Sequence, residues 1–167
     1  MLDQSLVRID GLRVTFRSRT DAVAAVKDLS FDVKPGEVVC LVGESGSGKS
    51  VSALSLMRLV EFSGGQIEAG RLLWQNEAGA ESDLAQRRDT RWRGREIGMI
   101  FQEPATALNP VLTIGSQLTE GLRYHERLGA RAARARALAL LRQVRIAEPE
   151  RRLRQYPHEL SGGMRQR

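Results

Sequence analysis

The chain has 167 residues, 41% of them hydrophobic, which is long enough for one domain with a sizeable core. Its formal charge of +6 comes from 26 basic residues against 20 acidic ones. No stretch approaches the roughly 18 consecutive apolar residues of a membrane span, and MLDQSLVRID lacks the apolar core of a secretory leader. The single cysteine, Cys40, excludes an internal disulfide framework and points to a reducing, cytoplasmic setting.

Apolar positions alternate through Leu6, Ile9, Leu12, Val14 and Phe16, and again at Leu29, Phe31 and Val33, as in half-buried strands. The polar RSRTDA between them reads as a hairpin connection. Lys34-Pro35-Gly36-Glu37 is a turn, and residues 38–42 (VVCLV) form a short apolar run of the kind expected in a buried parallel strand, with Cys40 as a small hydrophobe inside it.

Immediately after this run stands GESGSGKS, which fits the phosphate-binding pattern G-x-x-x-x-G-K-[ST] at every fixed position. Its residues are Gly43, Glu44, Ser45, Gly46, Ser47, Gly48, Lys49 and Ser50, and the helix-forming VSALSLMRLVEF follows. The glycines permit backbone conformations closed to other residues and a close approach to a ligand. The loop N–H groups and the helix N-terminus favour anionic oxygens. Lys49 reaches the terminal phosphates in this motif, and the Ser50 hydroxyl takes one position on Mg²⁺. The order strand, glycine loop, helix separates it from an incidental glycine turn, so the expected ligand is a nucleoside triphosphate.

The helix is expected to end near Gly64-Gly65. Leu72-Leu73-Trp74 suggests a further strand, NEAGAESD a turn, and the arginine-rich segment 84–95 a surface helix. Residues 97–101 (IGMIF) form a second buried-strand candidate, with Gln102 at its C-terminal end, where ligands collect in open α/β sheets. From Glu103 the character changes: EPATALNP is a proline-bounded loop, followed by helical patterns over about 114–127 and 131–144. Pro149 and the Tyr156-Pro157 pair break the helices. The arginines there alternate with alanine and leucine, so they read as solvated helix faces. No basic platform interleaved with aromatics marks a nucleic-acid surface. The division expected is a β subdomain with part of a phosphate-loop core over 1–102 and a helical subdomain over 103–167.

The closing LSGGMRQR places Ser161 as an N-cap ahead of Gly162 and Gly163, with exposed backbone donors. Together with GESGSGKS it resembles the nucleotide-binding subunit of ATP-binding cassette (ABC) transporters: GESGSGKS matches the Walker A loop, Gln102 the Q-loop, and LSGGMRQR the signature. GESGSGKSVSALSLMRL, IFQEPATALNP and YPHELSGGMRQR are similar to the subfamily that imports peptides, nickel and glutathione in bacteria, with GMIFQEPATALNPVLTIGSQLTEGLRYH most like the glutathione importers. The compact spacing between Lys49 and Ser161 argues against the chromosome-maintenance and repair relatives, which carry long insertions there. The fold implied is an α/β P-loop ATPase core with an antiparallel β subdomain and a helical subdomain.

The resemblance also assigns roles. Phe16 takes the place of the aromatic that stacks on adenine, though it reads equally well as strand core. Gln102 contacts Mg²⁺ or the attacking water. Ser161, Gly162 and Gly163 close on the γ-phosphate held by a second nucleotide-binding domain in a head-to-tail pair. Permease subunits in the membrane, and indirectly an extracytoplasmic binding protein, complete the implied assembly on the cytoplasmic face of the inner membrane, with ATP and Mg²⁺ as cofactors and no nucleic acid. The sequence stops at Arg167, inside the expected signature helix and ahead of the family's Walker B Asp, catalytic Glu and switch His. His125 and His158 precede the signature and are not that histidine. These 167 residues are therefore expected to be C-terminally incomplete, to bind ATP weakly and to hydrolyse it poorly. A non-enzymatic gene fragment or regulatory stub, and less so a DNA-repair type ATPase, are the competing expectations.

Overall fold

The computed structural model describes residues 5–76, 78–103 and 107–167. The chain divides into two compact units, Met1–Glu96 and Ile97–Arg167.

The first unit is built on an antiparallel sheet in the order β2-β1-β3-β4: β1 (Val7–Arg17), β2 (Ala22–Val33), β3 (Gly65–Gln75) and β4 (Glu81–Asp83). The alternation read in the sequence is seen in the burial of β1 and the second half of β2, while β3 buries three residues in succession. Ile9, Leu12 and Val14 of β1 are almost wholly buried, with Val26 of β2 and Leu72, Leu73 and Trp74 of β3. β1 is irregular around Gly11, whose φ of +62° interrupts the register with both neighbours in the manner of a bulge. The hairpin expected at RSRTDA closes with Ser18 N–H donating to the Asp21 carbonyl.

On the sheet, Thr15 Oγ1 and Arg17 both donate to the Glu68 carboxylate, at 2.9 and 2.7 Å. The Arg17 bond, and after it the Thr15 bond, hold that carboxyl below its ordinary value.

Four expectations fail in this unit, each for a physical reason. Residues 38–42 form no strand, and Val38 and Val42 are about nine-tenths exposed. A strand needs hydrogen-bonded neighbours, and none pairs with this run among the described residues. Cys40 is accordingly exposed rather than buried. The helix after the glycine loop, α1 (Lys49–Leu56), is short. The chain leaves it through Arg58 at φ +50°, whose guanidinium is drawn to the Arg87 carbonyl and to Glu61, and a 3-10 turn over Val60–Ser63 carries it to Gly64.

Segment 84–95 forms successive turns instead of a surface helix. Asp side chains just before and within it compete for the backbone: the Asp83 carboxylate accepts from Ala85 N–H, and Asp89 from Arg91 N–H. Leu84 and Trp92 are buried into the unit, and Glu96 reaches back to accept from Trp74 Nε1 at 2.9 Å. In the turn expected at NEAGAESD, Asn76 accepts from Ala80 N–H; Glu77 lies outside the described residues.

The second unit is helical. α2 (Ile114–His125) is capped by Thr113, whose hydroxyl accepts from Ser116 N–H. α3 (Ala130–Gln143), the short α4 (Pro149–Arg152) and α5 (Gly162–Gln166) follow. Both helices expected from periodicity are present, and Pro149 opens α4 at its first turn, where a missing N–H costs nothing. Ala137, Leu141, Ile146 and Leu153 form the core, with Leu118, Leu122, Leu138 and Met164 packed against them. The arginines of α3 lie on its exposed side. The second buried strand expected, 97–101, is absent: beyond a bridge residue at Ile97 the segment is unpaired, and Ile100 is 93% exposed. In the EPATALNP loop, residues 104–106 lie outside the described residues. No helix among the described residues is long and apolar enough to cross a membrane.

Candidate phosphate-binding site

The glycine loop folds as a local property of its own residues. Gly46 and Gly48 both adopt left-handed conformations, with φ of +81° and +93°, in the region that costs a side chain free energy. Gly48 is the residue from which α1 starts. It is also wedged against the neighbouring strand, because a Cβ at Gly48 would stand 2.5 Å from the Ala25 carbonyl oxygen. At the loop's entrance a Cβ on Gly43 would stand 2.8 Å from Ser47 Oγ. Close approach to backbone therefore requires a glycine at Gly48 as well as the pattern does, whereas at Gly43 the neighbour is a side-chain hydroxyl that can turn away.

Lys49 turns back into this loop. Its Nζ donates to the carbonyls of Gly43 (2.7 Å) and Glu44 (2.5 Å) and to Ser47 Oγ (3.2 Å), which occupies all three donors of an ammonium group. The charge is thereby fixed at the loop's centre, next to the N-terminus of α1. A cavity of about 600 Å³ opens there, lined by residues 24–29 of β2, 41–43, 46–49 and Ser52. Glu44, Ser45 and Ser50 are exposed around the loop. Such an arrangement can hold a polyanion: a lysine ammonium, a helix N-terminus and glycines that leave the backbone uncovered all favour phosphate oxygens.

The other sequence-predicted residues lie elsewhere. Phe16 is half-buried near the end of β1, opposite Val23 and Gly65. Its ring atoms stand 2.9–3.0 Å from where a Cβ on Gly65 would be, so its observed contact is strand packing, and it is not among the residues lining the cavity. Gln102 and Ser161 both belong to the second unit. Gln102 is exposed in the unpaired segment that follows Ile97.

Ser161 is the N-cap of α5, its hydroxyl accepting from Met164 N–H at 3.3 Å, and Gly162 and Gly163 are exposed. Met164 packs on the core cluster and Leu160 is buried, which anchors the motif on both sides. The preceding turn is tied by Tyr156 N–H donating to the Glu159 carboxylate at 2.7 Å.

Two participants were not legible beforehand. The wall of the cavity formed by β2 includes the Ala25 carbonyl, which carries no side-chain signature. For Ser52 the sequence offers one signal, a hydroxyl four residues after the last motif glycine. Among the described residues no three His, Cys, Asp or Glu side chains are grouped to hold a metal ion.

Comparison with known proteins places these features in context. Residues 26–167 match the sequence profile of a family described as ABC transporter. A peptide import ATP-binding protein of Brucella abortus is 51% identical over all of this chain, which covers 50% of that relative. A glutathione import ATP-binding protein of Escherichia coli is 44% identical over 98% of the chain and 27% of the relative. The chain thus spans about half the length of the Brucella relative. Among solved structures, the dimeric structure of a bacterial ABC transporter cassette superposes with a TM-score of 0.76 at 25% identity, over 96% of this chain and 65% of the other. A post-hydrolysis dimer of that cassette with ADP and Pi gives 0.77 at 26% identity with the same coverage.

Proposed function

The chain belongs to the ABC transporter family, and from that premise we propose that it is the ATP-binding component of a bacterial importer, coupling ATP hydrolysis to uptake of peptides or glutathione. The observation that carries the proposal is Lys49 held at the centre of a left-handed glycine loop. Peptides are placed first because the relatives named for peptide import are more alike to the chain, 51% against 44% for the E. coli glutathione protein.

In this reading Gly43, Glu44, Ser45, Gly46, Ser47 and Gly48 hold the triphosphate through their backbone, and Lys49 neutralises its terminal charge. Lys49 exchanges loop carbonyls for phosphate oxygens, which are stronger acceptors for an ammonium. The residues present fit this ligand: Gly46 and Gly48 are left-handed and the close approach at Gly48 leaves no room for a side chain. Ser50 supplies one hydroxyl for Mg²⁺, and Gln102 a second ligand or the orientation of the attacking water. When bound, the metal offsets the charge that develops on the transferred phosphoryl group.

Phe16 is assigned to the base, and Ser161, Gly162 and Gly163 to the nucleotide of a second nucleotide-binding domain paired head to tail. Permease subunits are the membrane partners, an extracytoplasmic binding protein is an indirect one, and the component is peripheral on the cytoplasmic face of the inner membrane.

The test is titration of the full chain with a fluorescent ATP analogue in the presence of Mg²⁺, alongside Lys49→Ala. Loss of charge-assisted bonds to phosphate is expected to weaken binding by roughly tenfold to a hundredfold. Equal binding by both proteins, or none by the unsubstituted chain, would sink the proposal.

A further inference from the structure

Ser52 is buried to 3% exposure in the first turns of α1, and it is the one residue of that helix beyond Lys49 that lines the phosphate-loop cavity. Its hydroxyl donates to the Gly48 carbonyl at 3.0 Å, and its own N–H donates to the same oxygen at 2.8 Å. One carbonyl thus receives two bonds from one residue. On its other side Gly48 abuts Ala25 of β2, leaving no space for a Cβ. The Gly48 peptide is clamped from the strand by backbone contact and from the helix by a buried hydroxyl.

The consequence follows from peptide geometry. In a planar trans peptide the C=O and the N–H of the next residue point in opposite directions. Holding the Gly48 carbonyl toward the helix therefore aims the Lys49 N–H the other way, into the mouth of the loop. A carbonyl that accepts a second bond also polarises its own peptide unit, which makes that N–H a better donor. Ser55 makes the same kind of bond to the Val51 carbonyl at 2.7 Å, so what sets Ser52 apart is the carbonyl it holds, that of the last motif glycine, and its place in the cavity wall.

We propose that Ser52 is a positioning residue for the phosphate site: its hydroxyl fixes the Gly48 carbonyl and so holds the Lys49 N–H in line for a phosphate oxygen. The inference rests on the ATP-binding reading of the loop. It adds a residue that acts through the orientation of one peptide.

The experiment compares the full chain with Ser52→Ala and Ser52→Thr. Each is titrated with ATP and with adenosine in the presence of Mg²⁺, and each is melted without nucleotide. Ser52→Ala is expected to weaken ATP binding about fivefold, the change that one net hydrogen bond supplies, and to leave adenosine binding unaltered. Ser52→Thr keeps the hydroxyl and is expected to restore ATP affinity to within about twofold.

A purely structural role would lower the melting temperature of Ser52→Ala and leave the ratio of ATP to adenosine affinity unmoved; that result overturns the proposal. So does a folded Ser52→Thr that binds ATP as poorly as the alanine variant. If the unsubstituted chain fails to bind ATP, the functional reading falls and takes this inference with it. If it binds and Ser52→Ala binds equally well, only the role of Ser52 falls.

Discussion

Replacing Gly48 by alanine tests whether the loop's geometry is imposed by its own glycines, and Gly46 provides the internal control. Both residues are left-handed, so alanine at either position carries the conformational cost of that region, about 1–2 kcal/mol. At Gly46 nothing lies within 4 Å of the new methyl, and that cost should be the whole effect. At Gly48 the methyl would stand 2.5 Å from the Ala25 carbonyl oxygen and 3.2 Å from Val26 Cγ2.

The Ala25 oxygen cannot move away like a flexible side chain. It is backbone in β2, whose neighbours Ala24 and Val26 are paired with β1. Overpacking of this kind adds about 1–3 kcal/mol, so Gly48→Ala should lose about 2–5 kcal/mol in total against about 1–2 for Gly46→Ala. Both tryptophans, Trp74 and Trp92, are buried in the unit that contains the loop, so urea unfolding followed by their fluorescence reads the right region. With slopes unchanged, the midpoint shift gives the difference directly. Equal midpoints for the two variants would refute the claim that β2 walls the loop at Gly48.

Two further outcomes are expected. Glu68 has its carboxyl lowered from 4.5, first by the Arg17 bond and then by Thr15; a depressed folded value means that its contribution is present above pH 4.5 and is lost as pH falls through the lowered value. Glu68→Gln should flatten that acid limb of the stability profile, and added salt should shrink the effect because Arg17 is 63% exposed. An unchanged acid limb would count against the pairing. Leu141→Ala removes a buried side chain from the helical core and should cost that unit about 2–5 kcal/mol, read as a lower midpoint of the far-UV helical signal. A loss below about 0.5 kcal/mol, ordinary for a surface site, would place Leu141 outside the core.

The parts of the fold that the sequence made legible are those whose cause is local. β1 and β2 follow an alternation that marks which face is buried, β3 shows itself only as the apolar run Leu72-Leu73-Trp74, all three of which are buried, and α2 and α3 follow periodicity. The parts that failed depend on distant partners. Residues 38–42 and 97–101 are apolar enough for buried strands, but composition reports only a capacity for burial, and a ladder needs a neighbour to supply it. Segment 84–95 has good helix formers, yet Trp92 is worth more buried than exposed, and Asp83 and Asp89 offer the backbone local bonds in place of helical ones. The early end of α1 has a non-local origin too, since Arg58 is held by the Arg87 carbonyl, 29 residues away.

The same distinction explains the site. Gly46, Gly48 and Lys49 announce themselves because left-handed backbone and a returning ammonium are consequences of residue type over eight consecutive positions. What holds that loop in place is anonymous in sequence: a carbonyl of Ala25, whose residue type is irrelevant to its function, and a Ser52 hydroxyl that could as well have faced solvent. A phosphate loop is thus recognisable at a glance while its rigidity is not, because recognition depends on permitted conformations and rigidity on contacts. It follows that a variant matching the glycine-lysine pattern at every fixed position can still bind poorly if the strand wall or the buried hydroxyl is lost. Substitutions at Gly48 and Ser52 separate these two requirements: the first alters the conformation the pattern demands, and the second leaves the pattern intact and removes only its support.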